Sequence, residues 1–284
     1  MRHGEASRSA QFTALLRAAH QVLDDDPRIH VDRVAVGLTP ETSVEEIRAN
    51  EALFRRPINV MRRSTFVLRA RFAEDRLAEA ATEGVSQYVI LGAGLDTFAY
   101  RQPAYAQKLR VFEVDHPASQ AWKRDCLARR GITPPPNLAF VAVDFERERL
   151  AEQLARAGFE ASAPTFFSWL GVVQYLSEPA IEETLRFVAG LAPRTEITLS
   201  FCVPDDLVTG EDLELVRQGA ATWADREEPW LSRHRPEDLG ALATRLGFSS
   251  TYHLSPEAAA DRYFRSRSDG LRAPQCVQLI SATL

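Results

Sequence analysis

Lysine is nearly absent from this 284-residue chain: Lys108 and Lys123 are the only two, and arginine carries the rest of the positive charge. The bias reads as codon usage, not as a mark of thermostability. Net charge is -5 and no long basic run occurs, which argues against nucleic acid as the main partner. Cysteine is scarce too. Cys126, Cys202 and Cys276 lie far apart and are odd in number, so they fit neither a disulfide framework nor a zinc site. No metal is expected, and the compartment expected is a reducing cytoplasm. No apolar run reaches the roughly twenty residues that span a bilayer. The segment Met1-Arg-His-Gly-Glu-Ala6 has no signal-peptide core, so no membrane association is expected. Repeats and low-complexity stretches are missing as well. What remains is ordinary globular composition at a length that allows one large domain, or one domain with a cap.

The first eighty or so residues lack a convincing strand. Phe12, Leu15, Leu16, Ala19 and Leu23 predict a helix over 8–23. Ser43 and Glu46 form a capping-box pattern that opens a helix over 43–54. A third helix is expected over 58–82, with Phe66, Ala70, Ala73 and Leu77 on one face. From residue 87 strands alternate with helices: 88–91, 110–114, 139–143, 165–169 and 196–203 read as strands, with helices over 118–130, 149–157 and 179–191 between them. That alternation predicts a parallel, doubly wound α/β sheet. Residues 204–235 are polar and mixed and read as an inserted lid anchored by Trp223 and Trp230. A helix over 236–246 ends at Gly247, and two last strands are expected at 249–254 and 276–282, split by a helical segment over 256–264. The expected division is a helical cap over 1–84 and a ligand-binding domain over 85–284.

A missing glycine is the most informative absence. Tyr88-Val-Ile-Leu-Gly-Ala-Gly-Leu-Asp-Thr97 is a strand running into a turn at Gly92 and Gly94. A dinucleotide fingerprint wants a third glycine at position 97, so that helix amides can meet a pyrophosphate. Thr97 stands there, with Asp96 before it. An acid at that point repels a diphosphate and suits a positively charged ligand. S-adenosylmethionine carries a sulfonium and an ammonium and no phosphate, so the turn points to a methyl donor over NAD.

The strands that follow supply further acids. Glu113 and Asp115 close the second strand. Either could take ribose hydroxyls, and Asp115 is favoured because it lies nearer the carboxyl end. Asp144-Phe145 ends the third strand, where a carboxylate and a neighbouring amide can hold an adenine. Six arginines and no acid fall in 52–73. Arg69, beside the apolar stripe, reads equally as part of a solvated basic face and as a bidentate clamp for a carboxylate. Trp169 and Tyr175, on the fourth strand and its exit loop, are candidates for the wall of an acceptor pocket shared with Trp223 and Trp230. No histidine stands out as a general base, which favours a small acceptor methylated on a carboxylate or an acidic hydroxyl. The alternatives are a nicotinamide-dependent oxidoreductase, disfavoured by Asp96 and Thr97, and a non-catalytic donor-binding module. The oligomeric state is not encoded legibly.

Taken together, Gly92-Ala-Gly-Leu-Asp-Thr97, Glu113-Val-Asp-His-Pro117, Val143-Asp-Phe145, Trp169-Leu-Gly-Val-Val-Gln-Tyr-Leu176 and Arg262-Tyr-Phe-Arg-Ser-Arg-Ser-Asp-Gly-Leu271 resemble a known family. It is the S-adenosylmethionine-dependent methyltransferases of the leucine carboxyl methyltransferase type, in particular their bacterial O-methyltransferase branch. Ser7–Ala10 and Arg17–His20 are similar to that branch as well, so the resemblance spans essentially the whole chain. It implies a Rossmann-like class I methyltransferase fold, with a seven-stranded sheet whose last strand is antiparallel and an N-terminal helical cap. It also implies that Arg69 meets the donor's carboxylate, Gly92 underlies its methionine part, Asp115 holds the ribose, and Asp144 with Phe145 holds the adenine. One departure is plain: Leu170 stands where the eukaryotic carboxyl methyltransferases have a donor-contacting glutamate, which weakens any transfer of their phosphatase-tail substrate.

Overall fold

The computed structural model describes residues 8–144, 148–224 and 230–284. Short runs bounded by turns form β1 (Gln87–Leu91), β2 (Arg110–Asp115), β3 (Leu138–Ala142), β4 (Thr165–Trp169), β5 (Glu196–Cys202), β6 (Ser250–Leu254) and β7 (Val277–Thr283). They make one sheet in the order β3-β2-β1-β4-β5-β7-β6. β1 to β5 pair in parallel, and β7 runs antiparallel between β5 and β6. Every residue of β1, β4 and β5 is buried; β1 reads as a nearly continuous apolar run, while β5 alternates Glu196, Thr198 and Ser200 with Ile197, Leu199 and Phe201 and buries both sets. The strand order reverses between β1 and β4. In an open α/β sheet that reversal leaves a crevice at the carboxyl ends of the two strands.

Helices α1 (Arg8–Leu23), α2 (Val44–Ala49), α3 (Glu51–Phe54) and α4 (Pro57–Thr82) precede the sheet. α5 (Pro117–Arg129), α6 (Leu150–Arg156), α7 (Glu178–Ala189), α8 (Glu211–Ala224), α9 (Pro236–Leu246) and α10 (Pro256–Ala259) follow among the strands. α4 is the organising element. At 26 residues it is about 39 Å long. Its last turns bury Leu77 and Ala80 with Tyr88 and Ile90 of β1. Its middle buries Val67, Leu68 and Phe72 with Leu254 and Leu279 of the last two strands. Its first half meets α1 and α8 beyond the end of the sheet. α9 ends at Gly247 in the left-handed region, as a glycine C-cap should.

Two departures from the sequence reading have local causes. The helix expected over 43–54 is two pieces, because Asn50 leaves helical geometry (φ -108°, ψ 20°) and caps both α2 and α3. The lid stretch, expected to be polar and mixed, holds α8, whose Leu215 and Val216 are buried. Among the described residues no helix is long and apolar enough to cross a membrane.

Candidate active site

The reversal point holds a cavity of about 630 Å³, walled by the ends of β1, β2 and β4 and roofed by α1, α4 and α8. Its floor is the glycine turn. Gly92 (φ +68°) and Ala93 both donate to Val114 O, at 2.9 and 3.0 Å, which folds the chain back over β2. A Cβ at Gly92 would stand 2.4 Å from Val172 Cγ2, so that position admits no side chain. The Gly94 amide donates to Asp115 Oδ2 at 2.5 Å and the His116 amide to Asp115 Oδ1 at 2.7 Å. Each oxygen keeps a second lone pair for a ligand hydroxyl. Asp96 Oδ1 accepts from the Phe98 amide at 2.8 Å, and the acid lines the cavity. Asp144 lines it as well, two residues past the end of β3. Three carboxylates therefore stand around one glycine turn.

Glu113, the other acid at the end of β2, lies elsewhere. It is fully buried against Lys123, with Nζ 2.6 Å from Oε2, and does not reach the cavity. Burial pushes its carboxyl up to about 7 against the pull of Lys123.

Arg69 reaches into the cavity from α4. Its guanidinium stacks on Phe66 at 4.6 Å and covers Gly171, where a Cβ would stand 2.3 Å from Nη1. Among the described residues it has no carboxylate within ion-pair distance. Protein surrounds it, yet it keeps surface toward the cavity. Burial first, and then the neighbouring Arg17 guanidinium, pull it down to about 10, so it stays charged at neutral pH. Arg17, by contrast, is engaged: Nη2 donates to Leu95 O at 2.5 Å and Nε lies 3.2 Å from Asp32 Oδ2. That ties α1 to the glycine turn, and Ala10 covers Gly94, with 3.1 Å between its Cβ and one built at Gly94.

The rest of the cavity is mostly apolar. Met61, Leu215, Val216, Tyr175 and Trp230 line it, with Gln174 and Arg62 as polar members. Of the two candidates for the acceptor wall, Tyr175 is there and Trp169 is not. Trp169 is 3% exposed and packs with Val89, Leu91 and Phe167 in the core on one face of the sheet. Strand alternation explains the correction: Phe167 and Trp169 are two apart and share the face turned away from the cavity. Phe145 lies outside the described residues, as does the side chain of Trp223. Gly171, Arg17 and Ala10 fall within motifs that carry the family resemblance, but sequence reasoning gave them no role. Their roles come from contacts across 78 to 102 residues of chain, which no local spacing reveals.

Residues 10–189 match the family model for leucine carboxyl methyltransferase. A Bacillus subtilis protein, YktD, assigned as an S-adenosyl-L-methionine-dependent methyltransferase, is 31% identical over 99% of both chains. A Mycolicibacterium vanbaalenii protein with the same assignment is 33% identical over 93% of this chain and 83% of its own. Among solved structures, a Thermobifida fusca protein assigned as a methyltransferase superposes with a TM-score of 0.58 at 17% identity, over 99% of this chain and 96% of its own. At that identity the superposition speaks for the fold.

Proposed function

The chain belongs to the leucine carboxyl methyltransferase family, and on that footing we propose that the cavity at the strand reversal binds S-adenosylmethionine and delivers its methyl group to an oxygen of a small acceptor. The protein is an S-adenosylmethionine-dependent methyltransferase. The acceptor oxygen is a carboxylate or an acidic hydroxyl.

One observation carries the reading. Three carboxylates and one guanidinium, which has no carboxylate within ion-pair distance among the described residues, converge on a turn too tight for any side chain at Gly92. The donor set matches a zwitterionic, sulfonium-bearing nucleoside. Arg69 faces the amino-acid carboxylate, Asp96 the adjoining positive charge, Asp115 the two ribose hydroxyls, and Asp144 the adenine side. The same acids would repel a pyrophosphate.

When bound, S-adenosylmethionine supplies a methyl on a sulfonium; the acceptor oxygen forms the new C–O bond as the C–S bond breaks, and S-adenosylhomocysteine leaves. The chain's own part is positioning and exclusion of water. α1 and α4 roof the turn, and Tyr175 and Trp230 wall the acceptor side. Among its described lining residues the cavity shows no free histidine to serve as a base for a neutral alcohol. His116, the histidine among its described lining residues, accepts from the Ala118 amide through Nδ1 at 3.2 Å. Its proton therefore sits on Nε2, and no ring lone pair is left to take another. A carboxylate needs no base, and an acidic hydroxyl arrives already ionised.

Calorimetry tests the site. S-adenosylhomocysteine should bind the wild type, and Asp115→Ala and Asp144→Ala should each weaken it about tenfold or more, the usual effect of losing a hydrogen bond to a charged group. NAD should give no heat. Unchanged affinity in both variants, or a clear NAD isotherm, overturns the assignment. A mass-spectrometric search for a gain of one methyl on carboxylic acids and acidic phenols then tests the acceptor chemistry.

A further inference from the structure

The loop after β4 joins the two halves of the cavity. It begins at the donor end, where Gly171 lies under the Arg69 guanidinium and Val172 fills the space above Gly92. Two residues on, in the single helical turn Val173–Tyr175, Gln174 lines the acceptor side. Its backbone is clamped. Gln174 O accepts from the Leu231 amide at 2.7 Å and from the Ser232 amide at 3.3 Å, and Ser232 Oγ donates to Val173 O at 3.0 Å. Those bonds fix the turn against Trp230 and Leu231, which line the same cavity; Leu231, 63% exposed, stands at its mouth.

The Gln174 side chain takes no part in that clamp. The residue is half-buried, and its carboxamide makes no hydrogen bond among the described residues. Its polar neighbours are engaged or inert. Thr65 Oγ1 donates to Met61 O at 3.0 Å, and Ser200 Oγ accepts from the Gly171 amide at 2.8 Å. Burial raises the Cys202 and Cys276 thiols, so both stay neutral. Trp230 Nε1 is buried, so the ring offers the cavity carbon alone. A carboxamide without a partner on an otherwise apolar wall is the kind of polar group that orients a ligand.

A carboxamide brings two N–H donors and no charge. It grips an oxyanion without neutralising it, so a nucleophile held this way keeps its electron pair. On the methyl-transfer reading the acceptor arrives ionised. Most organic oxygen acids that are ionised at neutral pH share the charge with a second oxygen, as in a carboxylate, an enolised 1,3-dicarbonyl or a 2-acylphenol. We infer that Gln174 selects and orients such a two-oxygen anion: Nε2 donates to one oxygen and leaves the other to attack the methyl. The C–O bond forms as the C–S bond breaks, sulfur keeps the bonding pair, and no proton moves. The apolar body of the acceptor lies against Met61, Leu215, Val216 and Trp230. The inference rests on the methyl-transfer reading of this same cavity and adds the residue that chooses the reacting oxygen.

The probes are pentafluorobenzoate and pentafluorophenolate, anions with one aryl body and two oxygens or one. Both are titrated calorimetrically into the protein saturated with sinefungin, a donor analogue whose ammonium stands where the methyl sulfonium would be. That ammonium takes one oxygen of either probe, and only the benzoate has another for Gln174. Gln174→Leu should therefore weaken pentafluorobenzoate about tenfold and leave pentafluorophenolate within about twofold. Wild-type affinity for sinefungin shows that the variant is folded. Equal losses for the two probes, no loss for pentafluorobenzoate, or failure of pentafluorobenzoate to bind the wild type overturns the inference. So does a loss of sinefungin binding in Gln174→Leu, which would assign the residue to the donor site or the fold. Failure of sinefungin to bind the wild type strikes the donor reading instead; pentafluorobenzoate titrated into wild type and Gln174→Leu without it then still judges Gln174.

Discussion

Gly171 shows how one missing side chain sets the site. Its φ of +74° already favours glycine, and the space a Cβ would need is filled by the Arg69 guanidinium. Gly171→Ala should therefore do more than strain a loop. It should displace Arg69 and weaken S-adenosylhomocysteine by about tenfold or more. In an Arg69→Ala background the same substitution should cost little further binding, because the clash has gone; a double-mutant cycle by calorimetry measures that coupling. Additive losses would mean that the two residues act separately. At this scale the sequence was legible where a residue type and a strand end coincide: Asp96, Asp115 and Asp144 all face one cavity. It misled where direction decides. Trp169 is a large aromatic at a strand end, but alternation turns it into the core. Arg69 could be named but not weighed, since its meaning lies in having no carboxylate within ion-pair distance among the described residues, and only tertiary structure shows that.

Elements were more legible than residues. Parallel strands covered by helices are rich in apolar residues and bounded by turns, so β1 to β5 stand out even in a single sequence. α8 was obscured because Glu211, Asp212 and Glu214 crowd its first turn and hide the apolar face behind them. Those acids have a purpose. Asp212, 1% exposed, is gripped by both terminal nitrogens of Arg272. The Arg272 amide in turn donates to Ser64 Oγ of α4 at 3.3 Å. The arginine-rich tail is thus a strap between α4 and the helix that roofs the acceptor side. Arg272→Ala leaves a buried carboxylate unpaired. Arg272 is itself half-exposed, so the loss of stability should be about 1–2 kcal/mol and not the larger figure for a fully buried pair. The loss should be local as well: amide hydrogen exchange in α8 should speed up while β1 and β4 stay protected. Unchanged exchange in α8 would show that the helix is held by its apolar contacts alone.

The whole molecule is stitched together by charge between its N-terminal helices and its sheet. Glu74 of α4 pairs with His30 at 2.9 Å and with Arg101, just beyond the glycine turn. Arg101 and Arg17 share Asp32. Burial alone would raise the Glu74 carboxyl, but His30 and Arg101 hold it far below its ordinary value of 4.5. Asp32 is lowered in the same way, burial being outweighed by Arg17 and Arg101. Groups depressed on folding stabilise the native state fully above their unfolded values and lose that contribution as the pH falls through the folded ones. The stability gap between wild type and Glu74→Gln should therefore be constant above about pH 5 and close as the pH drops toward 2. Glu113 runs the other way. Burial raises it from 4.5 to about 7, so the native state holds a proton that the unfolded chain has released. Its contribution is complete below 4.5 and is lost as the pH rises toward 7. Glu113→Gln, which mimics the protonated side chain, should gain on the wild type across that window and level off above it. Urea unfolding of the three proteins at a series of pH values reads both slopes. Parallel curves for wild type and Glu74→Gln down to pH 3 would remove the His30–Glu74–Arg101 cluster from the forces that hold the helical roof on the sheet.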